Sequence, residues 1–200
     1  MKTYWLIALV LMLAPSLRAQ ETARLSAEDI DAILFMREEE KLARDAYELF
    51  YVKWGVNPFG HIRFSEQNHM DQVKTLIVSY KLEDPIEKTA DEPGKFENGQ
   101  LQNLYAEVVK EGSTSMMAGL KTGALIEEID ILDLDARMAR SQNADIRRVF
   151  SYLKRASENH LNAFVRKLKV NGVDYNPVKM NKKQFDEILG GNERGCCRAK

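Results

Sequence analysis

Carboxylates and imidazoles set into otherwise apolar helix faces can gather a divalent cation, because each is costly to bury alone. Four stretches of this sequence carry such groups. Ile33, Met36, Glu40, Ala43, Tyr47, Phe50 and Trp54 recur at steps of three and four, which puts Glu40 amid one apolar face. Glu66, His69, Val73, Leu76 and Tyr80 share a second face, with a carboxylate one turn before an imidazole. The third face is Met117, Leu120, Ala124, Glu127, Ile131 and Leu134, and Asp130 follows Glu127 by three residues. The fourth is Ile146, Phe150, Leu153, Ser157, His160, Phe164 and Leu168.

Carboxylate oxygens mixed with imidazole nitrogens suit iron, manganese or zinc. A Glu from one helix and a Glu-x-x-His pair from another are ingredients of carboxylate-bridged dimetal sites in helical bundles. The ligand candidates are Glu40, Glu66, His69, Glu127 and His160, with Asp130 next. Glu66 is the candidate bridge, since it shares a face with His69. Tyr47 and Tyr80 lie on the same faces and are candidate catalytic, redox-active groups, against core packing as the alternative. The competing account of each inward Glu is an ion pair, for which Arg37 and Arg44 are at hand. Glu39 falls on a neighbouring stripe with Phe35, Leu42, Ala46 and Leu49, and Glu38 on an edge. Outward members of the Glu38–Lys41 run are expected to make surface salt bridges. Glu158, whose face holds Lys154, Arg155 and Asn162, is expected to be solvated. His61 reads as an exposed loop residue.

Four long helices must position these groups. The first is predicted over residues 27–54, with Ser26 as N-cap and Gly55 and Pro58 as stops. The second is predicted over 65–82, with Ser65 as cap. A long connection over 83–99 holds Pro85, Pro93 and Gly94, and a short helix over 101–110 follows. The third long helix is predicted over 115–140. The fourth runs over 145–168 with Asn143 as cap. Residues 170–177 are turn-rich, and 182–189 give a terminal helical turn or two. Short links inside each helix pair and one long crossover between helices 2 and 3 predict an all-α, ferritin-like four-helix bundle over residues 26–170. Residues 171–200 are expected to form a partly flexible extension.

The remaining features bound the setting. The chain has 200 residues, 44% hydrophobic and 30% charged, with a net charge of -1. That balance suits one globular domain and gives no support to a nucleic-acid partner. Lys2, the apolar run Trp5–Ala14, and Pro15, Ser16 and Ala19 have the layout of a secretory signal peptide over residues 1–19. The run is well short of the roughly 20 residues of a membrane span, so no stable span is expected after cleavage. Export to the periplasm or outside the cell follows. Cys196 and Cys197 are adjacent, a poor geometry for a mutual disulfide. They read as an exposed tail, with metal binding, redox chemistry or cross-linking as the alternatives.

Glu40-Lys41-Leu42-Ala43-Arg44-Asp45-Ala46-Tyr47 resembles the first-helix motif E-x-x-A-R-x-x-Y of the rubrerythrin branch of the ferritin-like superfamily. Glu66-Gln67-Asn68-His69 resembles that branch's E-x-x-H, Glu127 with Asp130 its third-helix carboxylates, and His160 its fourth-helix histidine. The run of motifs over residues 30–168 is closer still to a ferritin-like family described as a domain of unknown function. The resemblance implies a di-iron or dimanganese carboxylate protein, iron foremost, that reduces peroxide or oxygen. Ser157 departs from the pattern, which has Glu there; Asp130 or Glu128 are the residues that can supply the carboxylate. A rubredoxin-like electron donor is also missing. An exported metal-binding or storage protein without turnover is therefore the alternative, and a purely structural bundle the third reading. The oligomeric state stays open, a homodimer included.

Overall fold

The structure is a computed structural model that describes residues 25–196, and of residues 191–196 the backbone only. The expected signal peptide and Cys197 lie outside the described residues. Among the described residues there are seven helices and no strand. They are α1 (Ala27–Trp54), α2 (Phe59–Tyr80), α3 (Pro85–Lys88), α4 (Gly99–Gly112), α5 (Met116–Arg140), α6 (Ala144–Val170) and α7 (Lys182–Cys196). None is long and apolar enough to cross a membrane.

The caps explain most boundaries. Ser26 and Asp29 exchange hydrogen bonds in a capping box that opens α1, and Gly55 closes it at φ 62°. Ser115 caps α5 through the Ala118 N–H, and Asn143 caps α6 through the N–H groups of Asp145 and Ile146. α2 departs from the expected start at Ser65. It begins at Phe59 directly after Pro58, without a side-chain cap. Phe59 and Ile62 are buried in step with Glu66, His69 and Val73, so core burial extends the helix backwards past Ser65.

Side-chain bonds fix the helix directions. Glu48 pairs with Arg63, Arg44 with Gln67 and Glu40 with His69, so α1 and α2 are antiparallel. Asp135–Lys154 and Glu127–His160 show the same for α5 and α6. Asp31–Arg137 and Tyr47–Glu127 do so for α1 and α5, and Tyr80–Asp145 with Glu66–His160 for α2 and α6. The four long helices thus form a ring in which each is antiparallel to both neighbours. The consecutive pair α2 and α5 then runs parallel, which requires the long connection through α3 and α4.

That connection is held by charged residues of α1, among them Glu38 and Lys41 and the two candidate partners of the inward glutamates, Arg37 and Arg44. Arg37 donates to both oxygens of Asp84 and to the Met70 carbonyl. Lys41 is fully buried and donates to Asp45 at 2.6 Å and to the Glu92 carbonyl at 2.8 Å. Glu38 accepts from the Glu97 and Asn98 N–H groups. Arg44 joins Asp45 to Asp91. Lys41 thus keeps an i,i+4 pair with Asp45 but is buried, and Glu38 bonds backbone, because the crossover lies over the face that a lone helix would leave to solvent.

Two apolar clusters fill the ring, one around Tyr47, Phe50, Phe59 and Phe164 and the other around Ile33, Val73, Phe150 and Leu153. At Gly123 on α5 an added Cβ would meet Phe164 Cε1 at 2.4 Å, so the two helices approach here as only glycine permits. Arg37 and Asp84 are both buried, so Arg37→Ala strands a carboxylate. A loss of about 3–5 kcal/mol is expected in denaturant unfolding.

Candidate metal centre

Between the two apolar clusters lies a layer of buried polar side chains, one level deep in each long helix. Glu39 and Glu40 come from α1, Glu66 and His69 from α2, Glu127 and Asp130 from α5, and Ser157 and His160 from α6. All are buried, with His160 the most exposed at 9%.

Glu66 is the middle of this layer. Its Oε2 lies 2.7 Å from His69 Nδ1, and its Oε1 lies 2.9 Å from His160 Nδ1. Each oxygen thus faces a different histidine. Glu40 Oε2 stands 3.1 Å from His69 Nδ1, and Glu127 Oε2 stands 3.6 Å from His160 Nδ1. Two donor sets result, Glu40–Glu66–His69 and Glu66–Glu127–His160, with donor atoms within 4.8 Å of one another in each. The two imidazole rings stack at 5.4 Å.

Several of these atoms are close without being hydrogen bonded. Glu40 Oε1, Glu66 Oε1 and His160 Nδ1 have no hydrogen-bond partner, and neither does any carboxylate oxygen of Glu39 or Asp130. Native interiors rarely leave buried polar atoms in this state. No lysine or arginine forms an ion pair with Glu40, Glu66 or Glu127 among the described residues. Arg37 and Arg44, the expected rivals, are committed to Asp84, and to Asp45 and Asp91.

Tyr47 belongs to the layer: its hydroxyl donates to Glu127 Oε1 at 2.7 Å, and its ring packs against Phe59 and Phe164. Tyr80 does not. It lies at the other end of α2, where its hydroxyl bonds Asn143 and Asp145. Glu128 faces away from the centre. It is fully buried and accepts from the N–H groups of Val178, Lys179 and Met180 and from the Tyr175 hydroxyl. It therefore ties the C-terminal segment down, and Asp130 rather than Glu128 is the second inward carboxylate of α5 beside Glu127. Ser157 turns its hydroxyl to the Leu153 carbonyl at 3.1 Å. Tyr152 is a neighbour that the stripes did not predict. It is half exposed and meets the His69 ring edge-on at 6.1 Å. His61 is exposed as expected, but it stands in the first turn of α2 rather than in a loop. Glu158 is half-buried beside Lys154 rather than freely solvated.

A family model described as "Uncharacterized protein domain (DUF2202)" matches residues 29–192. The chain is 41% identical over 175 residues to "Uncharacterized protein MJ0754" of Methanocaldococcus jannaschii, across 87% of this chain and 94% of that one. The crystal structure of hypothetical protein MJ0754 is similar with a TM-score of 0.81, over 84% of this chain and 94% of that chain.

Proton affinities in the layer follow from burial and charge. Burial disfavours the His69 imidazolium, but Glu66 and Glu40 outweigh it and lift the pKa from 6.5 to about 12. His160 is opposed by burial and lifted by Glu66 and Glu127 to about 10. Glu66 is pushed up by burial, yet His160 and His69 hold it well below its ordinary value. Burial lifts Glu40 to about 7 against the pull of His69. Burial and then Glu127 keep the Tyr47 phenol protonated far above its usual range. Without metal, the folded chain therefore binds protons at both histidines that the unfolded chain releases near 6.5. Stability from these pairs is complete below about 6.5 and falls as pH rises toward 10 and beyond. With a chelator present, the urea midpoint is expected to drop between about pH 7 and about pH 10; a flat midpoint would contradict this charge assignment.

Proposed function

The chain belongs to the DUF2202 family, and from the buried layer of its bundle we propose that it is a ferritin-like, non-haem dimetal carboxylate protein. The observation that carries this reading is Glu66, whose two oxygens face two histidines in two overlapping donor sets. The partnerless oxygens around it fit the same reading, since a carboxylate oxygen committed to a cation needs no proton donor. The ring of antiparallel neighbours with a crossover between α2 and α5 supports the ferritin-like assignment.

In this reading Glu40, Glu66 and His69 would hold one ion, and Glu66, Glu127 and His160 the other, with Asp130 beside both. Carboxylates with imidazoles favour iron first, then manganese or zinc. A redox-active pair held there would supply electrons to peroxide or oxygen. The chain's own groups prepare the site. Tyr47 fixes Glu127 by hydrogen bonding and holds a proton at its hydroxyl. The rings of Tyr47, Phe59 and Phe164 pack within 5.3–6.0 Å of one another and exclude water from one side. His160 and the half-exposed Tyr152 mark the side nearest to solvent. With residues 1–19 as a signal peptide, the proposed place of action is the periplasm or the exterior.

A second reading, binding or storage without turnover, is favoured by Ser157 on α6 in place of a carboxylate. Elemental analysis tests the shared premise. Wild type is expected to hold about two iron or manganese ions per chain, and a Glu66→Ala, His69→Ala variant that keeps its helical circular dichroism is expected to lose them. Wild type without metal would sink the proposal. Peroxide consumption by the loaded protein then separates turnover from storage.

A further inference from the structure

The two donor sets share Glu66 but are not equally supported. In the first, His69 is fully buried, and its Nδ1 stands 2.7 Å from Glu66 Oε2 and 3.1 Å from Glu40 Oε2. In the second, His160 is 9% exposed, and its Nδ1 stands 2.9 Å from Glu66 Oε1 but 3.6 Å from Glu127 Oε2. The first set is thus tighter and drier, and a dry site strengthens the attraction between carboxylates and a cation.

His69 is also held from its outer edge. Its Nε2 lies 3.5 Å from the Ser65 hydroxyl, one turn earlier on α2, and the Tyr152 ring meets it edge-on at 6.1 Å. A serine inside a helix can return its hydroxyl to the carbonyl four residues back, as Ser157 does to Leu153. The Ser65 hydroxyl points forward to the imidazole. That placement has a chemical use. A neutral imidazole that gives Nδ1 to a cation keeps its proton on Nε2. An acceptor at Nε2 then fixes the tautomer, holds the ring in line and makes Nδ1 the stronger donor. Ser65 Oγ stands where that acceptor is needed.

The carboxylates divide in the same sense. Glu40 Oε1 has no hydrogen-bond partner, so this residue has an oxygen to spare for a cation. Glu127 gives Oε1 to the Tyr47 hydroxyl at 2.7 Å, and that bond draws on charge a cation would use. Helix α2 brings two donors, Glu66 and His69, to the first set, whereas α6 brings His160 alone to the second.

We propose that the two positions are unequal and fill in order, with Glu40–Glu66–His69 first and Glu66–Glu127–His160 second, and that Ser65 is the positioning residue that sets the order through His69. The second position, at the more exposed histidine, is then the exchangeable one. The proposal rests on the dimetal reading and adds to it a sequence of loading and a residue that controls it.

The test is equilibrium dialysis of the full chain, freed of metal, against graded Mn²⁺, followed by elemental analysis. Wild type is expected to take up its ions in two steps, about tenfold or more apart in affinity. His160→Ala assigns the steps: it is expected to keep the tighter and lose the weaker. Ser65→Ala, with helical circular dichroism unchanged, is expected to weaken the tighter step by about 10–100-fold and bring it toward the other. Ser65→Thr restores a hydroxyl at the same place and is expected to keep both steps, which a mere packing role for Ser65 does not predict. Two ions of equal affinity in wild type, a tighter step lost in His160→Ala, or one unmoved by Ser65→Ala overturns the proposal while the dimetal centre stands. No bound ion in wild type overturns both.

Discussion

Negative charge buried between four helices is the constraint on which this structure depends. A carboxylate moved out of water loses far more than a single hydrogen bond restores. Here at least five of them share one level of the bundle, with two imidazoles as the only bases among them. In the metal-free chain the histidines take up protons, and Glu66 stays ionised between them. Glu40, Glu127 and Asp130 are instead driven toward their neutral forms, burial being the largest cause for each. The arrangement is a compromise: protons do what one or more cations of higher charge would do better. The apolar clusters on either side keep the layer dry and make that compromise costly.

Consecutive glutamates on α1 show how the fold distributes such charge. Successive residues on a helix point about 100° apart. Glu38 turns to the crossover and accepts from its backbone, Glu39 turns to α5, and Glu40 turns to His69 on α2. The same division occurs on α5, where Glu127 faces the centre and Glu128 binds the backbone of residues 178–180. Each element that wraps the bundle is therefore clamped by a residue within two positions of a centre-facing glutamate. Position in the layer and anchoring of the wrapping segments are set by one short run of sequence.

That coupling also explains what could be read in advance. The stripes identified Glu40, Glu66, His69, Glu127 and His160 because the 3.6-residue period needs no knowledge of the neighbouring helix. Caps at Ser26 and Asn143 were legible for the same reason, being local. The start of α2 was not, since Pro58 offers no cap and the signal was the burial of Phe59 and Ile62. Lys41 and Glu38 looked like surface residues because their partners, Glu92, Glu97 and Asn98, are more than fifty positions away. Tyr80 followed the stripe of Glu66 and His69 but lies three turns further along α2, beyond reach of the layer. Periodicity reports the face of a helix and is silent about depth along it.

Ser157 bears on how the proposed centre would balance its charge. A glutamate at that position would put a carboxylate one turn before His160 on α6, mirroring Glu66 and His69 on α2. The serine is small, and its hydroxyl is spent on the Leu153 carbonyl. Asp130 occupies the level across from it on α5, with both oxygens partnerless, and feels the charges of Glu40, Glu127 and Glu66. Glu40, Glu66, Glu127 and Asp130 together carry four negative charges when ionised, the number that two divalent cations neutralise. That balance needs no carboxylate from α6, which contributes only its histidine to the donor sets. By charge alone, the serine at position 157 is therefore no argument for a centre of a single ion.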